Sequence, residues 1–299
     1  MSIPFVHAFD FAYGRADRVS PLLTRIVADN PGPFTQAGTN SYIVGAGDEV
    51  ALIDPGPALP AHEAALERAL EGKRLAGVFL THAHADHSPL SRPLAHRHGC
   101  PILAFPFASG AAQGDGPTME AGIDPDFRVD VALEDGMVRR GPDWTLTAIH
   151  TPGHASNHVC FALAEETALI CGDHVMGWAT SVVIPPDGDM TDYLASLARV
   201  RAMDFARLWP AHGPSVDDPA PFLDAYIAHR HAREDQIRAI LRDGPAAIPQ
   251  MVDRMYQGLD PRLKPAAAIS VLAHMIGMVG RGEAACEGAP GVESVYTLA

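Results

Sequence analysis

Within Thr81-His82-Ala83-His84-Ala85-Asp86-His87, four groups able to ligate a metal fall inside six residues. Imidazole and carboxylate without thiolate suit zinc, iron or manganese, and coordination positions left open mark a catalytic rather than a structural site. In an extended chain, side chains at i, i+2 and i+4 share a side. His82, His84 and Asp86 are therefore expected to converge while His87 turns elsewhere, an arrangement that suits two adjacent metals better than one. Two metals about 3.5–4 Å apart can hold a hydroxide near neutral pH, because the parent water's pKa falls towards roughly 7. One metal polarises a carbonyl or phosphoryl oxygen and the other stabilises the charge that develops. Solvent then attacks, and the expected chemistry is hydrolysis.

Three further stretches offer ligands, each at the end of an apolar strand. Val138 to His150, alternating from Trp144 to Ile149, reads as a strand running into Thr151-Pro152-Gly153-His154, where proline and glycine make a turn that presents His154. Thr167-Ala168-Leu169-Ile170-Cys171 delivers Gly172-Asp173, and Leu208-Trp209-Pro210-Ala211 ends at His212-Gly213-Pro214. The first cluster itself follows a buried strand, Leu75 to Leu80. Beyond it, Ser88-Pro89 and Ser91-Arg92-Pro93 are expected to supply caps and pre-set φ values for a helix start.

The ordered set His-x-His-x-Asp-His, Pro-Gly-His, Gly-Asp and His-Gly resembles that of the metallo-β-lactamase superfamily. The resemblance implies an α/β fold, an αββα sandwich with its site at one edge of two packed sheets. It implies one metal at His82, His84 and His154, a second at Asp86, His87 and His212, and Asp173 bridging them, with Asp86 essential to activity. Two divalent ions are expected, zinc foremost, with iron or manganese as alternatives. In this superfamily an Asp placed like Asp54 supports the metal loop from behind; capping a turn is its plainer role.

Elsewhere in the first two thirds of the chain, Leu22 to Val27 begins a sheet, Ser41 to Val44 and Val50 to Asp54 form a hairpin, and Pro60 to Glu71 is an amphipathic helix. Ser109 to Pro125 reads as a loop or flap. Asn157 and His158 follow His154 closely, and His158 is expected in the pocket wall or behind the ligands. His174 to Ser181 reads as a substrate-facing loop, with His174 as a proton donor to the leaving group, since imidazole titrates near neutrality. Trp178 either lines the pocket or joins the core, and Asp189 to Met203 is a helix.

With 299 residues and 47% apolar content, the chain can bury a large core. A net charge of −14 argues against coating nucleic acid or anionic membrane as a main task. Four scattered cysteines form no zinc-ribbon or disulfide pattern. The N-terminus lacks a basic region followed by a long apolar run, and the apolar tract Pro265 to Gly280 is short of the about 20 residues that span a bilayer. No membrane association and a cytoplasmic location are expected. Asp217 to Pro221 marks a boundary between a catalytic domain, residues 1–221, and a C-terminal domain, residues 222–299. In the latter, helices over Phe222 to Arg242, Ile248 to Tyr256 and Lys264 to Val279, with a terminal strand Val292 to Leu298, suggest a small winged-helix module. Its eight Lys and Arg against nine Asp and Glu leave a net charge of −1, which does not suit a general phosphate binder.

A closer resemblance covers nearly the whole chain. Asn30-Pro31-Gly32-Pro33-Phe34 with Gly38-Thr39-Asn40-Ser41-Tyr42, Pro210-Ala211-His212-Gly213-Pro214, Tyr226-Ile227-Ala228-His229-Arg230 with Arg233-Glu234, and the winged helix look like the β-lactamase-like protein 2 group. That group includes a mitochondrial endoribonuclease acting on single-stranded RNA. The expectation is therefore a binuclear hydrolase using a metal-bound hydroxide, with single-stranded RNA or a small ester, thioester or lactone as substrate. An iron-dependent redox enzyme and a noncatalytic nucleic-acid binder are the competing readings, and the wing offers a surface for a homodimer.

Overall fold

The structure is a computed structural model and describes residues 2–107 and 122–299. The stretch expected as a flap, Ser109 to Pro125, lies outside the described residues except for its last four.

The first sheet has seven strands in sequential order: β1 (Asp17–Arg18), β2 (Leu23–Val27), β3 (Asn40–Val44), β4 (Glu49–Ile53), β5 (Arg74–Leu80), β6 (Ile102–Ala104) and β7 (Val131–Ala132). β1 to β4 pair antiparallel and β4 to β7 parallel. The parallel half requires crossovers, which α1 (Pro60–Leu70) and α2 (Ser91–His98) provide. α2 starts without the expected side-chain cap. The Ser88 hydroxyl instead donates to Asp124 Oδ2 at 2.7 Å.

The second sheet runs β12-β11-β10-β9-β8, from β8 (Val138–Arg140), β9 (Thr145–His150), β10 (Val159–Leu163), β11 (Ala168–Gly172) and β12 (Arg207–Pro210). The single strand expected from Val138 to His150 is a hairpin, because Gly141-Pro142-Asp143 interrupts it. α3 (Met190–Ala202) is capped by Asp189, which accepts from the Thr191 and Asp192 amides, and with α4 (Pro219–Arg242) covers the outer face.

Alternation along the strands builds three layers of core. Tyr42, Ile53, Phe79 and Trp144 meet Leu146, Phe161, Ile170 and Trp209 between the sheets. Leu66, Leu70 and Leu94 pack helices on the first sheet, and Tyr193, Leu197, Phe222 and Tyr226 pack helices on the second. Each fully buried large side chain stabilises by roughly 1.5–3 kcal/mol. The result is the expected αββα sandwich.

The expected division at residue 221 falls inside α4. Phe222, Leu223 and Tyr226 belong to the sandwich core, whereas Ile237, Ile240 and Leu241 of the same helix join a separate core. That second core also takes side chains from α5 (Ile248–Met255) and α6 (Lys264–Gly280), and a small sheet of β13 (Ala246–Ala247), β15 (Val295–Leu298) and β14 (Ala284–Cys286) completes the winged-helix module. Buried Glu234 ties α4 to the end of α6 through Arg281 at 2.9 Å, and pairs with Arg238 of its own helix at 3.0 Å.

Among the described residues, the segment Pro261–Gly280 is long and apolar enough to cross a membrane by length and composition. The segment exceeds the expected tract, Pro265 to Gly280, because a 3-10 turn at Pro261–Leu263 precedes the helix. Ala267, Val271, Met275 and Met278 of this segment lie in the module's own core, the position of an ordinary buried helix.

Candidate metal centre

Four strands end at one edge of the sandwich. β9 and β11 run the same way because each is antiparallel to β10, and β12 is parallel to β11. Their C-termini therefore deliver His154, Asp173 and His212 to the edge where β5 delivers residues 81–87. The Val159 amide donates to the Thr81 carbonyl at 2.8 Å and links the two sheets there.

The segment after His84 is not extended. The amides of His87 and Ser88 both donate to the His84 carbonyl, at 3.0 and 3.2 Å, so the chain turns and the two-residue period fails. His87 consequently points into the cluster instead of away from it, with its ring centroid 4.2 Å from that of His82. Three overlapping groups result: His82, His84 and His154; His82, His87 and Asp173; Asp86, His87 and His212. Asp173 Oδ2 lies 3.4 Å from His212 Nε2, 3.6 Å from His87 Nε2 and 3.7 Å from His154 Nε2, between the first and third groups.

The outer nitrogen of each ring shows where its proton sits. His154 Nδ1 donates to the Val182 carbonyl at 2.8 Å and His212 Nδ1 to the Gly38 carbonyl at 3.2 Å. His87 Nδ1 donates to Asp54 Oδ2 at 3.0 Å. Three Nε2 atoms are thereby aimed at a common space lined by two carboxylates. Ligands about 2.0–2.1 Å from one zinc stand about 3.3 Å apart at tetrahedral angles; His84 Nδ1 is 3.3 Å from His154 Nε2 and 2.9 Å from His82 Nε2. The donors fit metal ions in both spacing and type.

Protonation follows from burial and neighbours. Burial depresses His82 well below its ordinary range and takes His84 down to about 3, with the adjacent imidazoles adding to both effects. Burial also opposes charge on His87 and His212, yet Asp86 and Asp173 win, raising His87 well above its usual value and His212 to about 10. Both carboxylates are held well below the carboxylate range by those imidazoles, against the upward push of burial. Without metal, His87 and His212 carry the protons that balance the two aspartates.

The model of the metallo-beta-lactamase superfamily matches residues 35–212, and that of the beta-lactamase associated winged helix domain matches residues 247–289. The chain belongs to the metallo-beta-lactamase superfamily. It is a hydrolase of that superfamily, with a His/Asp cluster of metal-binding composition. The lactamase-like protein aptB of Emericella nidulans is 34% identical over 82% of this chain and 77% of its own length. The atrochrysone carboxyl ACP thioesterase dmxR1 of Cryptosporiopsis sp. is 32% identical over 80% and 73%. The beta-lactamase-like protein 2 homolog of Caenorhabditis elegans is 32% identical over 76% and 73%. Among solved structures, a beta-lactamase domain protein from Burkholderia ambifaria shares the fold over 100% of this chain and 97% of its own, with a TM-score of 0.78 at 22% identity. TTHA1623, solved in a di-iron-bound form, aligns with 67% of this chain and 95% of its own, with a TM-score of 0.51 at 29% identity.

The metallo-beta-lactamase fold brings together all seven expected ligands, His82, His84, Asp86, His87, His154, Asp173 and His212. It does not bring His174 to them. The left-handed Gly172 (φ 51°) turns the chain so that Asp173 faces the cluster and His174 the core, with its ring centroid 5.3 Å from that of Tyr193 and its pKa pressed by burial to about 3. His158 lies behind the ligands: its Nε2 accepts the Asp173 amide at 3.2 Å and its Nδ1 meets Thr151 Oγ1 at 2.9 Å. Asp54 does support the loop, accepting from the Thr81 amide at 2.8 Å, the Thr81 hydroxyl at 2.6 Å and His87. Trp178 packs over Gly213, beside His212, and is partly exposed, so it belongs to the rim.

Two supports escaped the residue-by-residue reading. Asn40 clamps the His212 turn, its amide group donating to the carbonyls of Pro210 and Gly213 at 2.9 Å each, and Tyr42 donates to Pro210 as well. Residues 122–124 pair with the ligand loop, Ala85 donating to Gly122 and Asp124 to Ala83, both at 2.8 Å. The motif Gly38-Thr39-Asn40 was the only signal for the first, and nothing local signalled the second.

Proposed function

We propose that this chain is a two-metal, zinc-loaded hydrolase of acyl thioesters. The observation that carries the reading is the convergence of seven ligands at one sheet edge, with His87, His154 and His212 oriented by outer hydrogen bonds from Nδ1 so that Nε2 points into the cluster. His82, His84 and His154 would hold one ion, Asp86, His87 and His212 the other, and Asp173 both. Bound there, a metal pair supplies Lewis acidity and a water acidified towards roughly pH 7. The protein supplies the rest: Asp54, Asn40 and His158 hold the ligand loops rigid, and Trp178 walls one side of the approach.

The thioester assignment is supported by a relative whose name states that activity toward a carrier-bound acyl group, matched over four fifths of this chain. Single-stranded RNA is disfavoured by the net charge of −14 and by a wing domain without cationic excess.

The test is a panel of acyl-pantetheine thioesters, lactones and fluorogenic single-stranded RNA, offered to zinc-loaded protein and to an Asp86→Ala sample prepared identically. Thioester turnover that disappears in the variant supports the proposal. RNA cleavage with no thioester turnover replaces the substrate class, and activity equal in both samples refutes the site.

A further inference from the structure

The loop from His174 to Val182 joins two ligands, since it begins next to Asp173 and ends at the carbonyl that fixes His154. It is held from α4, the helix shared with the winged-helix module. Tyr226 Oη accepts the amides of Ser181 at 3.0 Å and Met176 at 3.3 Å and donates to the Ala179 carbonyl. One turn further along, Arg230 donates through Nη2 to the Ser181 carbonyl, the residue just before Val182. Arg230 is buried, 3% exposed, and its guanidinium lies 5.1 Å from the centroid of the Tyr193 ring. Among the described residues, no carboxylate forms an ion pair with it. A buried cation is costly to keep, and a hydrophobic residue would pack against Tyr193 at lower cost. Its contact with the loop is therefore the feature that calls for explanation.

We propose that Arg230, on the helix that the two cores share, is a positioning residue for the metal centre. By pinning the Ser181 carbonyl it sets the direction of the next peptide, so that the Val182 carbonyl stays 2.8 Å from His154 Nδ1 and Nε2 keeps its lone pair toward the cluster. The metal held by His82, His84 and His154 depends on this contact. The one held by Asp86, His87 and His212 does not, since its imidazoles are fixed by Asp54 and Gly38. The inference rests on the reading that the cluster holds two metals.

Arg230→Met keeps much of the bulk and removes the donor; Arg230→Lys keeps a donor. Arg233→Ala, which removes a guanidinium stacked on Tyr256 within the module, controls for general loosening of α4. Zinc affinities are measured by chelator competition on the full chain, and the imidazole N–H protons are followed by NMR, with His154 identified by its loss in His154→Asn. The expected result is about a 10–100-fold weakening of one of the two zinc sites in Arg230→Met. The His154 proton should shift or exchange rapidly while those of His87 and His212 stay, with partial recovery in Arg230→Lys and none of this in Arg233→Ala. Unchanged affinities and spectra, or equal weakening of both sites that follows the melting temperature and appears in Arg233→Ala too, overturn the positioning role. Should the methionine variant fail to fold, the lysine variant decides it: a weakened single site with a shifted His154 proton supports the role, and parent behaviour overturns it. A parent protein that binds fewer than two zinc ions overturns the two-metal reading, and this inference with it.

Discussion

Asp54→Asn changes a single atom, replacing Oδ2 by NH2 in a position that is 1% exposed. Oδ1 can still accept the Thr81 amide at 2.8 Å. Oδ2, however, accepts from both the Thr81 hydroxyl and His87 Nδ1, and an amide group there donates. The hydroxyl can turn its own hydrogen away and accept from the new amide group. His87 has no such freedom: it must either leave two donors facing each other, at about 1–3 kcal/mol, or move its proton to Nε2 and lose the lone pair that faces the cluster. Either route weakens the metal shared by Asp86, His87 and His212. The expected loss is about 10–100-fold in affinity, or about 1.4–2.8 kcal/mol, while the His82, His84 and His154 site is spared. Calorimetric titration of metal-free protein with zinc resolves the two sites. Two sites of parental affinity in Asp54→Asn would refute the claim that Asp54 sets the tautomer of His87.

Metal-free protein should be most stable near neutral pH. His87 and His212 have raised folded pKa values, so their contribution is complete below about 6.5 and fades as pH rises towards about 10. His82 and His84 are depressed, so stability also falls as pH drops below about 6.5, when the unfolded chain takes up protons that the folded chain refuses. Melting temperatures from pH 5 to 10 should trace this bell, and saturating zinc should flatten its alkaline limb, because metal displaces the protons on His87 and His212. Gly172→Ala should lower the melting temperature and the zinc content together: a Cβ there would lie 2.6 Å from His158 Nε2 and 2.8 Å from Thr81 Cβ, at a φ of 51°, and strain at such positions costs of order 1–3 kcal/mol. His174→Leu should leave kcat within tenfold of the parent; a fall of about 10²–10⁴ would restore its role as general acid.

The metal ligands were legible because each is local. A strand ending in a turn of glycine, proline and polar residues presents its next side chain, and four such strand ends carried His or Asp. The αββα layers were implied by the family resemblance that those ligands carry, and the winged helix was suggested by three helical periods and a terminal strand. The amino-acid sequence thus determined the ligand set and the class of chemistry, since both are written in short local motifs. Other features depend on residues far apart in the chain, and tertiary packing decided them. The direction of His87 depended on a turn closed by the His84 carbonyl and on Asp54, 33 positions away. The removal of His174 to the core came from a left-handed glycine pressed between Thr81 and His158. The bracing of His212 by Asn40 spans more than 170 residues, and α4 proved common to both domains because one face continues from Phe222 to Leu241 through two cores. A hydrogen bond closed over such distances leaves no period in the sequence, because its partners are chosen by where the sheets and helices come to rest.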